Sequence, residues 1–273
     1  MPEKVEPCSC LLAEMTWPEV KQAISEKAVA ILPVGSTEAH GPHLPLETDS
    51  LISQQMSVLA AKKLAAKGVR TVVAPTISYT VTDFAGEFPG TISVSRETAA
   101  SLLREIGLSL GRQGFKTICI ANSHLEPEHI RVLREVAEEV SRRTGATVCF
   151  PDKRRERWAA TLTEEFRSGA CHAGQYETSL VMATQPRLVH DGIRKSLKPN
   201  NISLSEKIKT GAKNFREAGG PDAYFGDPAA ATAQEGKSSF EALSEMIVTV
   251  VLEALASEPA KTHVGNGNGK NHG

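Results

Sequence analysis

Four short, largely apolar runs, separated by stretches of helical periodicity and one long loop, limit what this chain can fold into. They lie at residues 29–34, 69–77, 116–121 and 146–150. None alternates apolar with polar, the pattern of strands covered on both faces. Residues 48–67, 97–113 and 127–143 instead repeat apolar side chains at helical spacing. Thr48 or Asp49 is placed to cap the first of these helices, and Gly68 closes it. Gly114 closes the second, and Pro127 sits in the first turn of the third. Strands alternating with helices imply parallel pairing through right-handed crossovers. The expectation is a single α/β domain, a three-layer αβα stack on a mainly parallel central sheet.

The remainder is read more coarsely. Residues 151–170 are charged and helical, 176–190 form a helix then a turn or strand, and 196–238 are irregular. A final amphipathic helix occupies 240–256. Residues 1–11 read as an N-terminal extension and 12–258 as the domain. The tail 259–273 has little to bury and reads as disordered, which removes His263 and His272 from any site. With 31 Lys and Arg against 32 Asp and Glu, no charge excess points to nucleic acid or an anionic membrane. Lys153-Arg154-Arg155 reads as a solvated helix face. No apolar run reaches the ~18 residues of a membrane span, and the N-terminus lacks the apolar core of a secretory signal. Five scattered cysteines suit a reducing cytoplasm. Cys8 and Cys10 read as free thiols near a frayed terminus, and Cys119 and Cys149 as core residues.

The chemistry lies at two strand ends. Glu38, His40, His43 and Asp49 follow the first apolar run. Carboxylate oxygens mixed with imidazole nitrogens suit a divalent ion such as Zn²⁺ or Mn²⁺. Ligands of open parallel sheets bind beyond the carboxyl ends of the strands. Glu38-x-His40 leaves the first strand there, and Asn122-Ser-His124-Leu-Glu126 leaves the third. In extended backbone, residues two apart point the same way. A lone Glu-x-His is ordinary loop chemistry. Two of them at equivalent ends, with Asp49 beyond the first, make a metal-assisted hydrolase the first hypothesis.

The run Gly35-Ser-Thr-Glu38-Ala-His40-Gly-Pro-His43-Leu-Pro-Leu-Glu-Thr48-Asp49 resembles the signature of the creatininase family of metal-dependent amidohydrolases. Phe88-Pro-Gly-Thr91, Asn122-Ser-His124-Leu-Glu126, His172-Ala-Gly-Gln-Tyr-Glu177-Thr-Ser and Gly226-Asp-Pro-Ala-Ala-Ala-Thr-Ala-Gln-Glu-Gly236 resemble further family segments in the same order. The likeness runs from about residue 12 to 256.

That resemblance implies two divalent ions, Zn²⁺ or Mn²⁺. Glu38 and His124 would hold one, His40 and Glu126 the other, and Asp49 would bridge them. Glu126 could instead, or also, act as base for a water. His172 is similar to the histidine that shuttles protons in the family, and its ordinary pKa suits that role. His43 is expected to bond Asp49 or a metal ligand. Glu177 either touches a ligand or the substrate, or organises the helix after it. Asn122 lies beside the ligands. His129 is expected to be structural or at the pocket rim, and His190 has no role. Trp158 and Tyr176 are the aromatics available to cradle a flat ring. Departures affect the pocket more than the ligands: Thr82-Asp-Phe-Ala-Gly-Glu87 stands where many members carry Ser-x-x-His, and Cys171 where creatinine-hydrolysing members carry an acid.

The expected protein is thus a cytoplasmic hydrolase of a C–N amide bond in a small molecule, with a cyclic amide such as creatinine as default substrate. Removal of a formyl group or trimming of a modified peptide are the alternatives within the family. A non-catalytic metal-binding protein and an aminopeptidase-like dinuclear enzyme are the rivals outside those. The resemblance implies a homo-oligomer, by family habit a hexamer.

Overall fold

A computed structural model describes residues 9–257; the expectations for Cys8 and for the tail 259–273 fall outside them. Four strands form one sheet: β1 (Val29–Val34), β2 (Thr71–Val73), β3 (Thr117–Asn122) and β4 (Thr147–Cys149). Their order is β2-β1-β3-β4 and every pairing is parallel. Val34 and Asn122, the last residues of β1 and β3, stand side by side. The second strand is shorter than the apolar run 69–77. Ala74 still donates its N–H to the Ile31 carbonyl (2.8 Å), but Pro75 has no N–H to continue the ladder. Ile77 returns only as an isolated bridge to Val34.

Helices α1 (Trp17–Ser25), α2 (Thr48–Ala66), α3 (Arg96–Gln113) and α4 (Pro127–Thr144) accompany the strands. Short helices α5 (Glu156–Ala159) and α6 (Glu164–Ser168) precede α7 (Gln175–Thr184). Three more short ones, α8 (Asp191–Ser196), α9 (Leu204–Lys209) and α10 (Phe215–Ala218), lead to the long α11 (Ala233–Ser257). Ala30, Leu32 and Val34 of β1 pack with Leu103 of α3 and Leu133, Val136 and Val140 of α4. Val29 and Ile31, facing the other way, pack with Met56 of α2, Leu180 of α7 and Ile247 of α11. Helices therefore cover both sheet faces, and both faces of β1 and β3 are buried. Burial on both sides is why the runs do not alternate.

Two expectations need correction. The last helix starts at Ala233 rather than 240. Thr232 accepts the Glu235 N–H at 3.1 Å and caps it. Gly236, inside the stretch read as irregular, lies where a Cβ would collide with the Ser179 carbonyl, so it permits close packing of α11 on α7. The second concerns the start of α2. Neither Thr48 nor Asp49 caps it; the residue before the helix is Glu47, without a side-chain cap, and Thr48 and Asp49 occupy the first turn. Cys10 is half-buried and free, and its carbonyl accepts the Val73 N–H at 2.7 Å. No helix among the described residues is long and apolar enough to cross a membrane.

The strand order places the chemistry. From β1 the chain moves outward to β2, then crosses back to pair β3 on the other side of β1. The loops after β1 and β3 diverge there, and such a switch point opens a crevice at the carboxyl edge.

Candidate metal centre

Glycine sets the first loop. A Cβ on Gly35 would lie 2.5 Å from the Ser50 nitrogen, so only glycine lets the first turn of α2 fold back over the end of β1. That approach delivers Asp49. The loop is pinned along its length: Glu38 N–H donates to Leu46 O (3.0 Å) and Gly41 N–H to Ala223 O (2.7 Å). Ala39 N–H donates to the hydroxyl of Thr91 (3.1 Å), from the Phe-Pro-Gly-Thr stretch.

Glu38, His40, Asp49, His124 and Glu177 converge, all buried. His124 donates Nε2–H to the Val81 carbonyl (2.8 Å), which turns its Nδ1 inward, 3.2 Å from Glu38 Oε1 and 3.2 Å from Asp49 Oδ2. His40 donates Nδ1–H to the Glu38 carbonyl (3.1 Å). Its Nε2 faces Glu38 (3.7 Å), Asp49 (3.7 Å) and Glu177 (3.5 Å), without a hydrogen-bond partner among the described residues. A buried imidazole nitrogen surrounded by three carboxylates at more than bonding distance is a donor set that a divalent cation fits. The donor atoms fall into groups of three within 4.8 Å of one another: Glu38, Asp49 and His124; His40, Asp49 and Glu177; and Glu38, His40 and His172. Asp49 belongs to the first two, as a bridging carboxylate would.

Electrostatics point the same way. Burial opposes charge on His40, yet Asp49, Glu177 and Glu38 together push its pKa up to about 10. Burial likewise opposes charge on His124, and Glu38 and Asp49 overcome it and raise the pKa well above the usual range. Burial pushes against ionisation of Asp49 and Glu38, but the facing histidines hold both carboxyls below their ordinary values. Burial raises Glu177 to about 7, only partly offset by His40. The negative field that raises both histidines is the field that would hold a divalent ion.

The structure redistributes the sequence expectations. His40 is grouped with Glu177, not with Glu126, because the first turn of α7 brings Glu177 to 3.5 Å from His40 Nε2 in the β1 loop. Ala173 holds a left-handed φ of 51° and donates its N–H to Glu177 Oε2 at 2.7 Å, which fixes that carboxylate. Glu126 stands aside on the cavity wall and accepts the Phe84 N–H (3.2 Å); burial raises its pKa. His172 donates Nε2–H to the Ala39 carbonyl (3.0 Å), with its ring 4.4 Å from that of His40 and 4.3 Å from Phe215. Its Nδ1 lies 3.9 Å from Glu38, and burial and the His40 charge push its pKa down to about 4. His43 bonds neither Asp49 nor a member of the cluster: its Nε2 pairs with the Thr178 hydroxyl at 2.8 Å and braces α7. Asn122 donates to the His124 carbonyl (2.5 Å) and accepts from buried His129 (2.9 Å), so both are supports. Trp158 and Tyr176 cradle nothing in the cavity. Trp158 stacks under Arg157 (4.2 Å), and Tyr176 is fully buried against Phe166 (5.1 Å).

Three contributors escape sequence reasoning. Thr82 donates its hydroxyl to Glu38 Oε2, and Ser36 donates to Asp49 Oδ2 (2.9 Å). Ser36 lies inside the signature run and Thr82 opens the segment that departs from the family pattern, but neither residue type marks itself as the partner of a ligand. Lys153 is the third, and it corrects the solvated-face reading of 153–155. It is 1% exposed, over the rings of Tyr176 (5.6 Å) and Phe166 (5.7 Å), without a hydrogen-bond partner among the described residues. The cluster opens into a cavity of about 530 Å³ whose walls include Phe84, Leu125, Phe166, Leu204 and Ile208.

The family model described as creatinine amidohydrolase matches residues 13–251. The chain belongs to the creatininase family. It is similar to the mycofactocin precursor peptide peptidase of Mycobacterium ulcerans (strain Agy99), 28% identical over 82% of this chain and 81% of that protein. It is similar also to the creatinine amidohydrolase of Pseudomonas putida, 26% identical over 66% of this chain and 74% of the other. A solved creatinine amidohydrolase shares the fold with a TM-score of 0.74 and 20% identity, covering 93% of this chain and all of its own. Solved creatininases include a manganese form and a zinc–zinc form. This creatininase-family hydrolase thus carries the expected fold, with a donor set suited to metal.

Proposed function

We propose that this creatininase-family chain is a dinuclear metal-dependent hydrolase that opens an amide bond of a short peptide. The observation that carries the metal part is the orphaned Nε2 of His40, ringed by three carboxylates. Glu38, Asp49 and His124 would hold one ion, and His40, Asp49 and Glu177 the other. Two such ions supply Lewis-acid polarisation of a carbonyl and bring the pKa of water towards roughly 7.

The chain's own groups supply the proton transfers. Glu126 lies on the cavity wall outside the donor groups, held by the Phe84 N–H through one oxygen. Its raised pKa suits a base that takes a proton from the attacking water. His172, with Nε2–H committed to the Ala39 carbonyl and its pKa pushed down to about 4, rests neutral with Nδ1 as an acceptor, the atom that would take up a proton in the reaction and pass it to the departing nitrogen. The His172 ring is clamped between His40 and Phe215, which fixes that direction.

A peptide suits this cavity better than creatinine. Its volume fits a ligand much larger than one small ring. The two aromatics expected to cradle such a ring lie outside the cavity lining. The peptidase relatives support the same reading. The test is a panel of short peptides, creatinine, other lactams and formamides, assayed with Mn²⁺ and with Zn²⁺. Peptides should be cleaved with the highest kcat/KM; faster turnover of creatinine would overturn the peptide assignment.

A further inference from the structure

We infer that the part of the substrate beyond the scissile amide carries a carboxylate, which Arg155 and Arg167 receive; this rests on the amide-hydrolase reading. The outer wall of the cavity is basic. Arg134, Arg154, Arg155, Arg167 and Lys209 all line it. Arg134 and Arg154 converge on one carboxylate, Asp152, at 2.6 and 2.9 Å, so that node keeps a surplus positive charge. Lys209 is paired with Glu206 at 2.6 Å. Arg155 and Arg167 have no acidic partner among the described residues.

The chain as a whole is near neutral, so this excess is local. The carboxylates that line the deep end, Glu38, Asp49, Glu126 and Glu177, carry four negative charges when ionised, which two divalent ions would balance. The cations of the outer wall are then left for the substrate. Two guanidiniums without an acidic partner among the described residues, lining the same cavity as apolar Phe166, Leu204 and Ile208, fit an apolar residue ending in an anion. That anion is the free end of the peptide or an acidic side chain near it.

The experiment uses the metal-loaded full chain and peptides found to be cleaved, each as free acid, as C-terminal amide, and with Asp or Glu replaced by Asn or Gln. The wild type should prefer the charged form by roughly tenfold or more in kcat/KM. Arg155→Gln and Arg167→Gln should each shrink that preference, mainly through KM, and the double variant should bring it close to one. Loss of preference on amidation assigns the terminal carboxylate; loss on Asn or Gln replacement assigns the side chain. Equal cleavage of charged and neutral forms by the wild type would overturn the inference, as would a preference unchanged in the double variant. Calorimetry with 4-phenylbutyrate and its neutral amide gives a readout free of turnover. Tighter binding of the acid, lost in the double variant, supports the anion wall. Equal binding of the two probes, or tighter binding that survives in the double variant, contradicts it. If no peptide is cleaved, the peptide reading fails while this comparison still decides the inference.

Discussion

Glu177 Oε2 lies 3.5 Å from the partnerless Nε2 of His40 while accepting the N–H of Ala173 at 2.7 Å. A carboxylate four residues past a left-handed alanine is thereby held towards a histidine 137 positions earlier in the chain. Glu177→Gln keeps shape and removes charge. It should lower bound metal from about two ions per chain towards one. Elemental analysis of the purified variant checks this; full occupancy would mean that Glu177 does not ligate.

Thr82 should matter through Glu38. Its hydroxyl donates to Oε2, leaving Oε1 to face His40 and His124. Groups that orient a metal ligand typically change affinity by about 10–100-fold when removed. Thr82→Val is expected to weaken metal binding within that range while the fold stays intact. Competition with a chromogenic chelator measures it, and unchanged affinity would remove Thr82 from the site.

Glu126 and the ligand carboxylates should separate cleanly. Glu126→Gln is expected to retain both ions but lose about a hundredfold or more in kcat, the scale of general-base catalysis. Metal loss in that variant would return Glu126 to the ligand set.

Much of this was legible in the sequence, for identifiable reasons. Buried strands advertise themselves because both faces must be apolar, so 29–34 and 116–121 read correctly to within a residue. The loops at their carboxyl ends follow from the sheet rule. What failed involved distance or disguise. The grouping of Glu177 with His40 depends on how α7 packs against the β1 loop, which no local pattern encodes. The stretch 196–238 looked irregular through its glycines, yet Gly236 lies inside the last helix, where it admits the Ser179 carbonyl. Lys153 looked solvated because Arg154 and Arg155, which follow it in a charged run, are exposed; Lys153 instead ends a buried stretch with Pro151 and Asp152, its ammonium over two aromatic rings.

The histidines predict a pH dependence for the metal-free protein. His40 is raised to about 10 from an unfolded value near 6.5. Its protonated form therefore stabilises the fold fully below about pH 6.5, and that contribution is lost as pH rises through about 10. Asp49 and Glu38 are shifted down, so their share is present above about pH 4 and lost on acidification. The metal-free melting temperature should fall from pH 7 to 10. Loading with Zn²⁺ or Mn²⁺ should release protons, so that affinity rises with pH over the same window. Calorimetric titration in buffers of different ionisation enthalpy would detect the release; its absence would contradict the protonated cluster.

Anomalous diffraction from crystals of the zinc- or manganese-loaded chain tests the account most directly. It should reveal two peaks, one among Glu38, Asp49 and His124 and one among His40, Asp49 and Glu177, with Asp49 touching both. A single peak, none, or an ion held by Glu126 away from His40 would contradict it.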